Sequence, residues 1–105
     1  VKPKYRVMNN PLELIDNKFL RQFEVTQDGQ LAKIEYSLQE RKIFLTKLII
    51  PDNLVNDSFI ESFIKLVMSE IEERNISVVP TSPPIAKFIR KNRRYKSMLP
   101  MGLRL

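Results

Sequence analysis

The sequence predicts one small α+β domain, an α/β sandwich in which a mixed β-sheet packs against helices. Two runs of alternating apolar and polar residues flank an Asp-Gly pair in the N-terminal half, which is typical of an antiparallel hairpin. A long amphipathic stretch and then a short β-branched run follow in the C-terminal half. The 105 residues fit a single domain, which we place at 1–105 with its core at about 16–99 and flanking segments 1–15 and 100–105.

Three strands form the antiparallel part of the predicted sheet. Residues 19–25 form the first and residues 31–38 the second, joined at Asp28-Gly29, where glycine accepts a positive φ. One face of the first strand carries Phe19, Arg21, Phe23 and Val25, and one face of the second carries Ala32, Ile34, Tyr36 and Leu38. Residues 43–50 form the third strand, which is the most apolar and is therefore expected to be covered on both faces.

One lysine, Lys47, interrupts this third strand. If its ammonium group were buried, its pKa would fall and a functional role would follow. A lysine at a strand edge, or one that reaches out to water, is the more common case.

A single long helix connects the third strand to the fourth. It is predicted to begin near Asp57 or Ser58, either of which can cap it, and to end at Asn75. The fourth strand, at residues 76–79, is expected to lie parallel to the third, because the connection is long enough for a right-handed crossover. A small C-terminal helix is predicted at residues 84–92.

Two short segments complete the chain after this small helix. Residues 95–99 suggest one further helical turn. Residues 101–105 alternate between apolar and basic side chains, so that this segment would either pair on a sheet edge or hang free.

Charge is distributed unevenly along the chain. The net charge is +6, yet residues 74–105 contain eight basic side chains and no acidic one. Six of the eight lie close together, at Lys87, Arg90, Lys91, Arg93, Arg94 and Lys96. A cluster of this kind indicates either a surface that binds a phosphate-bearing partner or a solvated helix face.

The composition restricts the available chemistry. The chain contains no cysteine, which excludes a disulfide framework, a thiolate zinc site and a cysteine nucleophile. It also contains no histidine, which is the commonest metal ligand and the commonest general base at neutral pH. We therefore expect no metal site, and any catalysis must use carboxylates, lysines, tyrosines, hydroxyls, backbone groups or a cofactor.

The distribution of apolar residues suggests no membrane role. The basic residues at 1–8 are not followed by a long apolar run of the kind that a signal peptide needs. The longest apolar stretch is far shorter than the roughly 20 residues of a membrane-spanning helix. We therefore expect a cytoplasmic protein without membrane contact.

Six short motifs in the same order resemble those of compact, single-domain members of the GNAT N-acetyltransferase superfamily. They are Arg21-Gln22-Phe23-Glu24, Asp28-Gly29, Ala32-Lys33-Ile34-Glu35-Tyr36, Ile50-Pro51 followed by Leu54, Val78-Val79-Pro80-Thr81-Ser82, and Asn92-Arg93-Arg94-Tyr95. The resemblance runs from about Asp16 to Leu99. It implies a GNAT-like mixed sheet, acetyl-CoA or CoA as cofactor, and transfer of an acyl group to an amine.

At three positions the chain departs from this family. Members normally carry two glycines before the long helix, where backbone N–H groups approach the pyrophosphate of CoA. This chain has Val55-Asn56-Asp57-Ser58-Phe59 instead, so the resemblance implies a degenerate pyrophosphate loop and leaves open reduced or lost activity. Lys47-Leu48 replaces a frequent His-Thr pair, and Ser82 stands where a cysteine often occurs.

The resemblance also assigns candidate site residues. Glu35 and Ser82 are the catalytic candidates, and the cofactor-binding candidates are Ile50, Asn56, Asp57, Ser58, Phe59, Thr81, Lys87, Lys91 and Arg94. Each assignment has a purely structural alternative. Asp57 or Ser58 could simply cap the helix, Glu35 could be an ordinary surface residue of its strand, and Ser82 could be a turn hydroxyl. The acceptor amine, on a protein or a small molecule, is not specified, and a monomer or a homodimer is equally compatible.

A second function remains open. The basic C-terminal third could make the chain a non-catalytic binding module for nucleic acid or for an acidic protein partner. In the nucleic-acid case, Tyr95 would supply a stacking ring among the basic side chains.

Overall fold

A computed structural model describes residues 12–105 as a sheet with two α-helices. The sheet has five strands in the order β1-β2-β3-β4-β5. The strands are β1 (Ile15–Asn17), β2 (Gln22–Gln27), β3 (Gln30–Gln39), β4 (Lys42–Ile49) and β5 (Ser77–Pro80); the helices are α1 (Asp57–Arg74) and α2 (Pro83–Lys91). Two 3-10 helices cover Asp52–Leu54 and Arg93–Met98. Strands β1 to β4 are antiparallel and β4·β5 is parallel, which confirms the mixed sheet and the crossover through α1.

The first predicted strand begins too early. Residues 18–21 form a tight turn, and β1, which the sequence did not reveal, pairs with β2 through Asp16 and Phe23. The side chain of Asn17 accepts a hydrogen bond from the Leu20 N–H at 3.0 Å, and Arg21 takes a φ of 55°. Because this turn reverses the chain, Phe19 lies outside the core, although its spacing from Phe23 placed both residues on one face of the predicted strand.

The pairing of β3 with β4 contains a β-bulge. Tyr36 pairs with Leu45 and Glu35 with Lys47, so Thr46 is the extra residue, and its hydroxyl donates to the Glu35 carbonyl at 3.1 Å. Thr46 and Lys47 are exposed and Phe44 is half-buried, so the expectation that this strand is covered on both faces is wrong. For Lys47 the strand-surface interpretation holds.

The core lies on one side of the sheet. Alternate residues of β2 to β5 point toward the helices and are buried there, whereas the opposite face is mostly half-exposed. The buried sheet residues on the core side are Phe23, Val25, Ala32, Ile34, Tyr36, Ile43, Leu45 and Val78. They form one cluster with Phe59, Phe63, Ile64, Leu66, Val67, Met68 and Ile71 of α1 and with Ile85, Phe88 and Ile89 of α2. The domain therefore has two layers in its described part.

Helix α1 begins and ends close to the expected residues, but with a different cap. Asn56 precedes the helix, and its side-chain oxygen accepts from the Phe59 N–H at 2.7 Å. Asp57 is therefore the first helical residue rather than the cap, and Ser58 is the second. At the other end Asn75 adopts the left-handed conformation with φ 59°, as its position predicted.

A charged cluster joins the C-terminal end of α1 to the first strands. Arg74 donates to Asp16 Oδ2 at 2.5 Å and to Glu70 Oε2 at 2.8 Å, and the Tyr36 hydroxyl donates to Asp16 Oδ1 at 2.6 Å. Burial and this hydrogen bond raise the pKa of Tyr36 to about 12. Burial alone would lower the pKa of Arg74, but the hydrogen bonds to Asp16 and Glu70 outweigh it and raise the value.

The C-terminal segment packs without forming a strand. Leu103 donates its N–H to the Pro100 carbonyl at 3.1 Å in a turn, and Leu105 packs against the core. The tail therefore neither pairs on a sheet edge nor hangs free. Within residues 12–105, neither helix has the length and apolar character needed to cross a bilayer.

Candidate functional site

Strands β4 and β5 separate before β4 ends. The last paired residues are Leu45 and Pro80, and the chain then turns into α2. The Leu45 carbonyl accepts from the N–H groups of Thr81 at 3.1 Å and Ser82 at 3.0 Å and from the Thr81 hydroxyl at 3.1 Å. This threefold contact fixes the point of separation, and from Thr46 to Ile49 none of the strands described within residues 12–105 lies beside β4 on that edge.

The first turn of α1 lies just beyond the end of β4. Asn56 uses its side chain as the cap, and Phe59 is buried with its N–H directed to that cap. The N–H groups of Asp57 and Ser58 have no partner inside the helix, because they belong to its first turn. The side chains of both residues are exposed.

A cleft of about 230 Å³ runs between the first two turns of α1 and helix α2. Its apolar wall consists of Ile60, Ile64, Pro84 and Phe88, and its polar rim consists of Asp57, Glu61, Lys87, Lys91 and Asn92. Lys87 and Lys91 stand one helical turn apart on α2, so that both reach the same side of the cleft. The arrangement can bind an elongated ligand that has an apolar part and an anionic part.

Charges of both signs face this cleft. Lys87 and Lys91 belong to α2, whereas Asp57 and Glu61 belong to α1. Lys87, Lys91 and Asp57 are exposed, and Glu61 is half-buried. None of the four side chains forms an ion pair with another described residue. The α2 side therefore attracts an anion, whereas the carboxylates on the α1 side oppose one.

The structure distributes the candidate residues over several places. Asp57, Lys87 and Lys91 line the cleft, with Asn56, Ser58 and Phe59 in the adjoining first turn of α1. Ile50 follows the end of β4, and Thr81 lies at the point of strand separation. Ser82 is buried immediately before α2 and makes no side-chain cap hydrogen bond.

Two candidates lie away from the cleft. Glu35 lies on the sheet face opposite the helices, half-exposed, with its carboxylate 4.0 Å from Lys33 Nζ. Arg94 lies 3.9 Å from Glu72, near the C-terminal end of α1. The basic run from Lys87 to Lys96 is thus divided between the cleft and a second surface.

Tyr95 is buried rather than presented to a partner. Its ring packs against Phe88 with centroids 5.5 Å apart, and the Arg94 guanidinium lies 4.4 Å above it. With 5% of its surface exposed, Tyr95 is not available as a stacking ring for a base, which corrects that expectation.

Two residues that line the cleft, Glu61 and Asn92, were not among the candidates from the sequence. The sequence pattern predicts Glu61 as a solvent-facing helix residue and Asn92 as the end of the small helix. The i, i+4 spacing of Asp57 and Glu61 was a usable signal, since it places both carboxylates on one side of α1. No group of three or more acidic side chains within residues 12–105 is arranged to hold a metal ion.

The sequence matches a family profile over most of its length. The family is described as GCN5-related N-acetyltransferase, and the match covers residues 22–98. A comparison with curated proteins finds no match. Among solved structures, a GCN5-like candidate N-acetyltransferase from Staphylococcus aureus, determined by NMR, superimposes with a TM-score of 0.67 at 21% identity, covering 92% of this chain and 94% of that chain. At this identity the superposition shows a shared fold.

Proposed function

Since the chain belongs to the GCN5-related N-acetyltransferase family, we propose that it is an acyl-CoA-dependent N-acetyltransferase that binds its cofactor between α1 and α2. One observation carries the proposal. Lys87 and Lys91 face the first turns of α1 across a cleft with an apolar wall, beside the point where β4 and β5 separate. Acetyl-CoA, when bound, supplies an acyl group activated as a thioester.

The chemistry of the cleft fits a CoA-type molecule. Lys87 and Lys91 offer ammonium groups to phosphate oxygens, as compact charges that need no particular geometry. The N–H groups of Asp57 and Ser58 add donors at the positive end of the helix dipole. Ile60 and Phe88 supply the apolar surface against which a nucleotide base can pack.

The free edge of β4 suits the extended arm of the cofactor. An edge without a neighbouring strand presents backbone N–H and C=O groups that an extended amide-containing chain can pair with. Ile50 lies at one end of this edge, and Thr81 lies at the other, held to Leu45. We assign both to the binding of the arm.

Glu35 is the proposed proton acceptor for the acceptor amine. In the register of β3 with β4, Glu35 lies opposite Lys47, in the part of β4 beyond the end of β5. With 37% of its side chain exposed, it is accessible to an incoming substrate. A carboxylate can accept this proton directly or through one water molecule. We assign Ser82 as a hydroxyl donor at the point of strand separation.

Asp57 limits the affinity for the cofactor. Its carboxylate occupies the first position of α1, where the usual glycine loop is replaced. Two like charges a few ångströms apart cost on the order of 1–4 kcal/mol, depending on the local dielectric. We therefore expect binding that is weaker than that of a glycine-containing loop and that depends on the two lysines.

Calorimetry with acetyl-CoA, CoA and 3′-dephospho-CoA tests the proposal. The K87Q/K91Q variant should lose most of the affinity, whereas the K65Q variant, changed at an exposed lysine elsewhere on α1, should keep it. The absence of both heat and a thermal shift at millimolar ligand would overturn the cofactor role. Binding without transfer to any amine in a mixed acceptor pool would leave a CoA-binding pseudoenzyme.

A further inference from the structure

Three exposed apolar side chains lie at one end of the sheet. Phe19 is 93% exposed, Leu20 is 56% exposed, and Leu38 is 49% exposed. Phe19 and Leu20 belong to the turn between β1 and β2, and Leu38 lies near the turn between β3 and β4. Because the four strands run alternately up and down, both turns lie at the same end, which we name the turn end.

The two turns are neighbours in space. The Tyr36 N–H donates to the Arg21 carbonyl at 3.0 Å, so residues 18–21 run alongside the part of β3 that extends past β2. That extension contains Leu38. The three apolar residues therefore lie on neighbouring segments at the turn end, and we refer to them together as the patch.

The fold holds this patch in an exposed position. The Asn17 side chain fixes the turn by accepting from the Leu20 N–H, and Arg21 completes it in the left-handed region. Within a turn anchored in this way, Phe19 cannot reach the core. No described contact explains an aromatic residue at its tip.

Basic side chains surround the patch. Lys18, Arg21, Arg41 and Lys42 are all exposed in or beside the two turns, and Glu40 is the one acidic residue among them. Within residues 12–105 none of these four cations forms an ion pair. Their charge is therefore available to an external anion.

The C-terminal basic segment reaches the same end. Lys42 pairs with Ser77, and Ser77 lines a cavity together with Ser97 and Met98 at the end of the second 3-10 helix. Arg94 of that 3-10 helix lies 3.9 Å from Glu72 in the last turns of α1. Arg94 thus lies near the turn end but is paired there with Glu72, so the positive charge available to an anion comes from the cations of the two turns.

We propose that the turn end docks the protein onto the surface of an anionic lipid bilayer. This departs from the expectation of no membrane contact, which rested on the lack of a long apolar run and does not bear on docking at a bilayer surface. Phe19, Leu20 and Leu38 would enter the boundary between headgroups and acyl chains, and the surrounding lysines and arginines would contact lipid phosphates. The aliphatic side chains favour a bilayer over nucleic acid, since leucine offers no stacking face and Tyr95 is buried. The first turns of α1 and the cleft lie toward the opposite end, so that docking leaves them open.

Flotation with lipid vesicles tests the proposal on the whole chain. The protein should float with phosphatidylcholine vesicles that contain about 30 mol % phosphatidylglycerol and should not float with phosphatidylcholine alone. The F19S/L20S variant should lose about tenfold or more in affinity for these vesicles. The K18Q/R41Q variant should lose about fivefold for each charge removed. L31S and K65Q, which change an exposed leucine and an exposed lysine away from the turn end, should bind as the original protein does.

Tryptophan placed in the patch gives an independent readout. The chain contains no tryptophan, so F19W and L31W each carry a single reporter. Emission of F19W should shift to shorter wavelength on addition of the anionic vesicles and should be quenched by brominated acyl chains, whereas that of L31W should not change. Circular dichroism of both variants checks that the fold is retained.

Three results would overturn the proposal. They are no flotation at about 0.05 M salt, equal flotation on neutral and anionic vesicles, and an unchanged F19W spectrum with bound vesicles. Tighter binding to an oligonucleotide than to vesicles, unaffected by F19S/L20S but weakened by K18Q/R41Q, would assign the turn end to nucleic acid instead. None of these results depends on whether the cleft binds CoA.

Discussion

Alkaline pH should weaken the fold through one side chain, Tyr36. Its hydroxyl donates to Asp16 at 2.6 Å, and burial together with this contact raises its pKa from 10.0 to about 12. The folded protein therefore keeps this proton at a pH where the unfolded chain has lost it. The stabilisation is complete below pH 10 and disappears as the pH rises through about 12.

The size of the effect follows from the same two values. The difference between them corresponds to about 2 to 3 kcal/mol of stability. Replacing Tyr36 with phenylalanine removes the hydroxyl and its hydrogen bond to a carboxylate, which costs about 1.5 to 3 kcal/mol at neutral pH. The Y36F variant should therefore be less stable than the original protein at pH 8, and the difference between the two should shrink as the pH rises.

Urea unfolding followed by circular dichroism at several pH values from 8 to about 11.5 measures this difference. Comparing the two proteins at each pH cancels the contributions of lysines and of other groups that titrate in this range. A spectrophotometric titration of tyrosine provides a second readout, because Y36F should lose the component with the highest pKa. A stability difference that stays constant over the whole range would refute the reasoning.

Three further predictions concern the site. Asn56→Ala should lower the free energy of unfolding by about 1 kcal/mol through loss of the α1 cap, as measured by urea denaturation, while Ser58→Ala should change it by less than half as much. Asp57→Asn should tighten CoA binding several-fold in calorimetry, because it removes a negative charge from the cleft; unchanged or weaker affinity would place the phosphates elsewhere. Glu35→Gln should lower kcat for acetyl transfer about 100-fold or more with little change in the affinity for CoA, and an unaltered kcat would assign the base to another residue.

Local sequence patterns predicted the elements whose structure depends on near neighbours. Asp28-Gly29 forms the expected turn, with Gly29 at φ 72°, a conformation that a residue without a side chain adopts at little steric cost. The apolar stripe of α1 and its stop at Asn75 were likewise visible, because helical periodicity and a left-handed C-terminal residue are local properties. The parallel arrangement of β4 and β5 followed from the length of the connection.

The first turn and the bulge were not visible in the same way. Phe19 continues the alternation of Phe23 and Val25, and the reversal of the chain there is visible only in the structure, in the pairing of β1 with β2 and in the hydrogen bond from the Leu20 N–H to Asn17. At Thr46 the bulge depends on register with β3, and it shifts the exposure of the residues after Leu45. Period-two patterns do not record which residue of a strand lacks a partner.

The sequence named candidate residues one by one, and how they are grouped in space depended on tertiary structure. Lys87, Lys91 and Arg94 form one basic run in the sequence, yet two of them face the cleft and Arg94 lies near Glu72. The direction of each side chain depends on how α2 and the 3-10 helix pack, which spacing along the chain does not determine.

The sequence by itself determined the mixed α+β architecture, the long crossover helix and the excess of positive charge after residue 73, because these depend on periodicity, chain length and composition. Tertiary structure decided where β4 leaves β5, which lysines face α1, and that the turns beside Phe19 and Leu38 lie at the same end of the sheet. These features arise from strand register and helix packing between residues far apart in the chain, and such contacts leave no periodic signal in any short segment.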